Sequence, residues 1–231
     1  MTIAAIHQPQ YLPYLGFFQK LSQCDIFIAM DNIQFQRRGV QNRNKIKTQR
    51  GEQWLTVPVC HKTRDQEQIN EMQINNEQSW AQKQLGSIVT NYSKAPFFQD
   101  YITEIEHLLT QTWNNLCDLD MALVQWVMEK LDLKVPIVYL SSLDVEGQKS
   151  ELLVNSCRSV DACAYLSGAG GKRYMDLEVF EAADIQVIWQ EFCFPTYDQL
   201  FPELGFIPNL SILDTLLCCG PELVKSFLKC E

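Results

Sequence analysis

Two short apolar runs separated by one helix-length segment constrain this chain more than any other feature. The run IAAIH, ending at His7, is β-prone and closes on a polar residue. In the QPQYLP that follows, two prolines forbid regular structure, and YLGFFQKLSQCD then has helical spacing. The next run, DIFIAMD, is apolar nearly throughout, as in a strand covered on both faces. Strand, helix and strand make a βαβ unit with parallel pairing. That unit places His7 and Asp31 at the carboxyl ends of neighbouring strands, where open α/β sheets bind their ligands.

From Gln34 to Ile74 the pattern changes to extended pieces with turn signals. NRNKIKTQ, RG and EQWLTVPV read as a hairpin, and QINEMQIN as a candidate further strand. Helical spacing then covers Gln78 to about Tyr92, Pro96 to Thr112 and Leu116 to Leu131, with Pro96 suited to a first helical turn. Alternation resumes with PIVYLSSL, KSELLVNSCRSV, CAYLSG, MDLEVFEAAD and IQVIWQEF, and helix returns from Leu210. The expected fold is α/β: a mostly parallel sheet with flanking helices, a β-hairpin insertion (about 34–75) and a helical middle segment (about 78–132). No Gly/Ser/Pro-rich linker divides it, so residues 1–231 read as one domain.

The chain can bury a core, since 46% of its 231 residues are hydrophobic, with 12 Phe, 8 Tyr and 5 Trp. It contains no run of ~20 uncharged apolar residues and no signal-peptide pattern, which points to a cytoplasmic protein without membrane insertion. Nine cysteines without a CxxC pair read as reduced thiols.

The net charge of −9 disfavours nucleic acid as a partner, yet the charge is unevenly placed. Between Asn32 and Gly51 stand Arg37, Arg38, Arg43, Lys45, Lys47 and Arg50 with no acid, leaving −15 for the rest. Charge blocks usually face water. Here the cations alternate with amides such as Gln41 and Asn42 and with apolar residues, which suits a small anionic ligand, phosphate or carboxylate. In AYLSGAGGKRY, a strand runs into Ser167, Gly168, Gly170, Gly171, Lys172 and Arg173 before a helix. Glycines there serve either phosphate binding through backbone amides or simply a tight turn. The segment is neither GxxxxGK[ST] nor GxGxxG. Lys149, Ser150 and Glu151 read as an ordinary helix start. Tyr197, Gln199 and Asn209 fall in an aromatic, proline-rich loop that suits a pocket wall or the core equally. His7 is either structural or a ligand-binding or proton-transfer group; His61 and His107 read as surface residues, and three histidines so far apart in sequence argue against a metal site without excluding one.

The segments HQPQYLPYLGFFQKLSQCDIFIAMDNIQF, RRGVQNRNKIKT, WLTVPV, KSELL, YLSGAGGKRY and FIPNLSILDTLL together resemble the WbqC-like protein family, nearly end to end. The resemblance implies that His7, Tyr11, Tyr14, Gly16, Lys20, Asp31, Asn42, Arg43, Ser167, Gly168 and Tyr174 belong to its motifs. It also implies a place in bacterial surface-polysaccharide (O-antigen) and nucleotide-sugar pathways. A fainter likeness to nucleotidylyltransferase-type folds lacks the second histidine of their motif.

The expectation is a transferase acting on a nucleotide-linked or otherwise anionic amino sugar, such as a nucleotide sugar. His7 and Asp31 handle the proton. Tyr11, Tyr14, Lys20, Arg37, Asn42, Arg43, Lys45, Ser167, Gly168, Gly170, Lys172 and Tyr174 bind substrate in one cleft. The alternative is a noncatalytic anionic-ligand-binding or scaffold protein of the same pathway. Cofactor, metal requirement and oligomeric state stay open.

Overall fold

The computed structural model describes residues 1–60 and 67–229. The opening unit forms as strand β1 (Ile3–His7), helix α1 (Leu15–Leu21) and strand β2 (Ile26–Ala29). Strands β3 (Arg43–Thr48) and β4 (Gly51–Thr56) make an antiparallel hairpin, and β5 (Val59–Cys60) pairs with β6 (Gln73–Ile74). Helices α2 (Trp80–Tyr92), α3 (Phe98–Thr110) and α4 (Leu116–Lys130) form the middle segment. Then follow β7 (Ile137–Tyr139), α5 (Lys149–Ser159), β8 (Ala164–Ser167), α6 (Leu177–Glu181), β9 (Gln186–Trp189) and α7 (Ile212–Leu228).

Five strands join in one sheet in the order β7-β2-β1-β8-β9, and every pairing is parallel. The chain runs outward from β1 through β2 to β7, then returns to the other side of β1 for β8 and β9. The direction reverses between β1 and β8, which makes their carboxyl ends the topological switch point.

Alternation along the strands covers both faces. Ala5, Phe27 and Ala29 pack into the larger core with α1, the middle helices and α7, whereas Ala4, Ile6 and Ile28 pack on α5 and α6. On the second face Tyr165 stacks on Phe180 at 5.6 Å between centroids.

Three elements depart from expectation. QINEMQIN yields only the two-residue β6, because Gln68 and Glu71 close a capping box that turns Ile69–Glu71 into a 3₁₀ turn. Pro96 lies in the turn before α3, where the Phe97 amide donates to Leu217 O instead. Ser150 does not cap α5. Its hydroxyl accepts from the Asp176 amide (2.9 Å), tying α5 to the start of α6. The eight described cysteines are free thiols. No helix among the described residues is long and apolar enough to cross a membrane.

The wall formed by residues 190–211 hangs on one buried carboxylate. Asp214, wholly buried, accepts from Tyr92 Oη (2.7 Å), Tyr197 Oη (2.7 Å) and Gln199 Nε2 (2.9 Å). Gln199 also brackets Ile207, donating to its carbonyl and accepting from its amide. Tyr92 Oη accepts from the Lys47 amide, and the buried Lys47 ammonium donates to Gly205 O at 2.7 Å. Four elements distant in sequence thus share one polar node. Asp214→Ala removes the shared acceptor of three donors, leaving the buried Tyr92 hydroxyl without its acceptor, and is expected to lower stability by about 3 kcal/mol in urea unfolding, whereas Tyr197→Phe is expected to cost about 1 kcal/mol.

Candidate functional site

Register brings the site together. β1 and β8 pair Ala5 with Leu166, so two residues further His7 comes level with Gly168. β8 and β9 pair Ser167 with Trp189, which sets Gly168 beside Gln190. His7, Gly168 and Gln190 therefore form a row across the carboxyl ends of the three strands. A cavity of about 330 Å³ opens there, lined by His7, Tyr14, Gly16, Phe17, Lys20, Gly168, Ala169, Gly170, Gln190, Phe192 and Asn209.

Lys20 is the cavity's only full cation, on the helix that follows the proline loop. It is 5% exposed, and among the described residues no acid pairs with its ammonium. Burial pulls it down from 10.5 to about 8, slightly opposed by the neighbouring Cys24. Gly168 lets it approach, since a Cβ at 168 would stand 3.3 Å from Nζ.

His7 Nδ1 lies 3.0 Å from the Gln8 carbonyl, which assigns the proton to Nδ1 and leaves Nε2 as the acceptor. Burial and then the Lys20 charge lower its pKa from 6.5 to about 3, so the imidazole is neutral at physiological pH. Phe17 meets the ring edge-on at 5.4 Å. Gln41, wholly buried, donates to Gln8 Oε1 (2.8 Å) and accepts from the Gln36 amide, so the basic segment supports the His7 loop through an amide.

Gln190 staples the two sides. Its Nε2 donates to Gly16 O (2.7 Å) and to Gln19 Oε1. Gly16 has no room for a side chain: a Cβ would meet the Tyr14 ring at 2.5 Å and Phe192 at 2.8 Å. Gly171 is equally closed, with Ser167 Oγ at 2.3 Å from such a Cβ.

Of the residues singled out in the sequence, His7, Tyr14, Gly16, Lys20, Gly168, Gly170 and Asn209 line this cavity. The others stand elsewhere. Asp31 is 4% exposed and accepts from the Ser141 amide (2.9 Å), Ser141 Oγ and Asn70 Nδ2 (3.3 Å), fastening the end of β2 to the turn after β7. Tyr11 is buried and donates to Gln84 Oε1 (2.6 Å). Beside it lies Asp120, whose two oxygens lack a partner among the described residues and whose carboxyl burial pushes well up. Asn42 closes the hairpin through Val57 O (2.8 Å). The Arg43 guanidinium stacks on Trp54 at 4.3 Å and donates to Arg38 O. Lys45 pairs with Glu52 and Arg37 is exposed. Ser167 faces Met175, Lys172 lies over Trp189 at 5.3 Å, and Tyr174 is 67% exposed. His107 is exposed, and His61 lies outside the described residues.

Gln190 and Phe192 were missing from the sequence-derived site, and Asn209 entered the reading only as a loop residue suited equally to a pocket wall or the core. The rule that ligands sit beyond strand carboxyl ends points to Gln190, immediately after β9. Asn209 carries a weaker signal, an asparagine between Pro208 and a helix start, and here it takes φ +58°.

The sequence matches the WbqC-like protein family over residues 8–226. The chain belongs to that family. A Mycobacterium tuberculosis (strain ATCC 25618 / H37Rv) protein, "Uncharacterized protein Rv1507c", is 33% identical over 224 residues, 96% of each chain. No solved structure matches. In this WbqC-like chain three motif segments meet at the cavity: HQPQYLPYLGFFQK supplies His7 to Lys20, YLSGAGGKRY supplies Gly168 to Gly170, and FIPNLSILD supplies Asn209.

The Lys20 shift has a signed consequence. Its pKa is lower folded than unfolded, so the unfolded chain holds more protons between about 8 and 10.5. This residue's contribution to stability therefore improves as pH rises through that window, and below it the full desolvation penalty acts. Lys20→Met is expected to stabilise the unliganded protein at pH 7 by on the order of 3 kcal/mol and to flatten the rise from pH 8 to 10, as read by urea unfolding at each pH. An unchanged pH profile in the variant would show that the ammonium is not desolvated.

Proposed function

We propose that this WbqC-like protein is a transferase-type enzyme acting on a nucleotide-linked or otherwise anionic amino sugar in surface-polysaccharide biosynthesis. The observation that carries this reading is the buried, acid-free Lys20 ammonium beside a neutral His7 in a cavity at the switch point of a parallel sheet. An ammonium held at such cost gains most when an anion replaces the water it has lost. Surface-polysaccharide and nucleotide-sugar pathways, the setting that the family resemblance implies, offer such anions.

In this proposal Lys20 holds anionic oxygens of the ligand, and Tyr14, Asn209 and the backbone at Gly168 and Gly170 orient the sugar. His7 Nε2 takes the proton from the attacking hydroxyl or amine. The bound anion offsets the Lys20 charge, one of the two causes that depress His7, so substrate raises the basicity of the group that must act on it. Asp31 anchors the β2 end rather than carrying the proton. The Lys45 carbonyl accepts from the Ser211 amide, two residues beyond Asn209, so the Arg43 and Lys45 surface adjoins the cavity wall. A nucleotide too large for 330 Å³ extends along that surface in this reading, towards Arg37.

Thermal unfolding with a panel of nucleotides, nucleotide sugars and inorganic phosphate tests it. A ligand at ~100 times its Kd stabilises by about 2.7 kcal/mol, or roughly 5 to 10 °C in a chain of this size. A selective shift with a nucleotide sugar is expected in wild type, abolished in Lys20→Met and reduced in Arg43→Ala. No shift with any nucleotide sugar overturns the proposal and favours a noncatalytic scaffold.

A further inference from the structure

We infer that the cavity selects an anionic sugar whose substituents carry no positive charge, taking hydroxyl or acylated-amine sugars and rejecting the free ammonium form. This rests on the anionic-sugar proposal above and narrows its substrate class. The eleven lining residues include one cation and no carboxylate. Glu191, next to Gln190 in sequence, is exposed and lies outside the lining. Among the described residues no acid acts on Lys20, and the two groups that shift His7 besides burial are Lys20 and the Gln8 carbonyl. A ligand ammonium entering this space finds no carboxylate among the lining residues, the ligand's own anion being engaged by Lys20, while its own water is stripped away.

What the cavity offers besides the Lys20 charge is neutral. His7 presents a bare Nε2, which accepts from a hydroxyl or an amide N–H. Gly16, which has no room for a Cβ, fixes the ring of Tyr14 against Phe192, their centroids 6.0 Å apart, and Phe17 adds a further apolar surface. Aromatic surfaces suit the C–H faces of a sugar ring or the methyl of an acyl group. About 330 Å³ lies at the low end of ligand cavities and suits one sugar with its phosphate rather than a whole nucleotide sugar. An amino sugar therefore enters already acylated, or as the uncharged amine, the nucleophilic form.

Calorimetric titration of the full chain at pH 7 with N-acetylglucosamine 1-phosphate, glucose 1-phosphate and glucosamine 1-phosphate tests the inference. The first two are expected to bind at least tenfold more tightly than the third. Glucose 1-phosphate separates charge from contacts with the acyl group. Asn209→Asp places a carboxylate in the lining at a backbone conformation that Asp tolerates, and is expected to shift the ratio at least tenfold towards glucosamine 1-phosphate. Equal affinity for the charged and uncharged sugars, or an unchanged ratio in Asn209→Asp, overturns the charge selection and leaves the anionic-sugar proposal standing. Binding of nucleotide sugars but of no sugar phosphate also overturns only the inference. If neither class binds, both fall.

Discussion

Strand β1 is bonded on both edges to parallel neighbours, β2 on one side and β8 on the other, and the placement of His7, Gly168 and Gln190 in one row follows from that arrangement. Parallel pairing puts all carboxyl ends at one edge of the sheet, and the reversal of winding at β1 keeps any connection from crossing the gap between β1 and β8. Short turns leave both strands at that gap. The QPQYLP loop carries the chain into α1 and the glycine turn carries it towards α6, so Lys20 and Gly168 approach from opposite sides. Gln190, one strand further out, holds them there by bonding both Gly16 and Gln19.

The polar groups of the interior fall into two kinds. Asp214, Gln199, Gln41 and Asn42 have hydrogen bonds made within the protein, and Asp214 and Gln41 join segments far apart in sequence. Lys20 is buried nearly as deeply and has no counterion among the described residues. The first kind stabilises the fold; the second weakens it unless a ligand supplies the missing charge, which is the usual signature of a site set aside for binding. Asp120 is also unsatisfied, yet it can shed its charge by protonation and remain as a neutral acid, a route that leaves Lys20 the more demanding group at neutral pH.

Much of the architecture was legible in the chain. The apolar runs ending at His7 and Ala29, the hairpin turn at Arg50 and Gly51, and the spacing of the three middle helices all follow local rules of periodicity and turn chemistry. The least legible elements were those set by side-chain bonds to distant backbone, such as Ser150 receiving the Asp176 amide. For the site, the rule about strand carboxyl ends located His7 and the glycine turn. The cationic segment was the more conspicuous signal, and it supplies a surface beside the cavity rather than any residue of its lining. Arg43 and Lys45 spread over Trp54, Lys47 is consumed by Gly205, and the residue of that segment tied to His7 is an amide, Gln41.

The amino-acid sequence by itself determined the α/β class, the family, and the presence of a polar histidine and a glycine turn at strand ends, because these depend on residues near one another along the chain. The family motifs had already placed Lys20 among the candidate binding residues, but only the tertiary structure decided that it, and none of the clustered basic residues, is the cation lining the cavity. Charge density along a sequence does not report desolvation. That quantity depends on what packs around the side chain, and here half of the cavity wall comes from residues 168–170 and 190–209, more than 140 residues away.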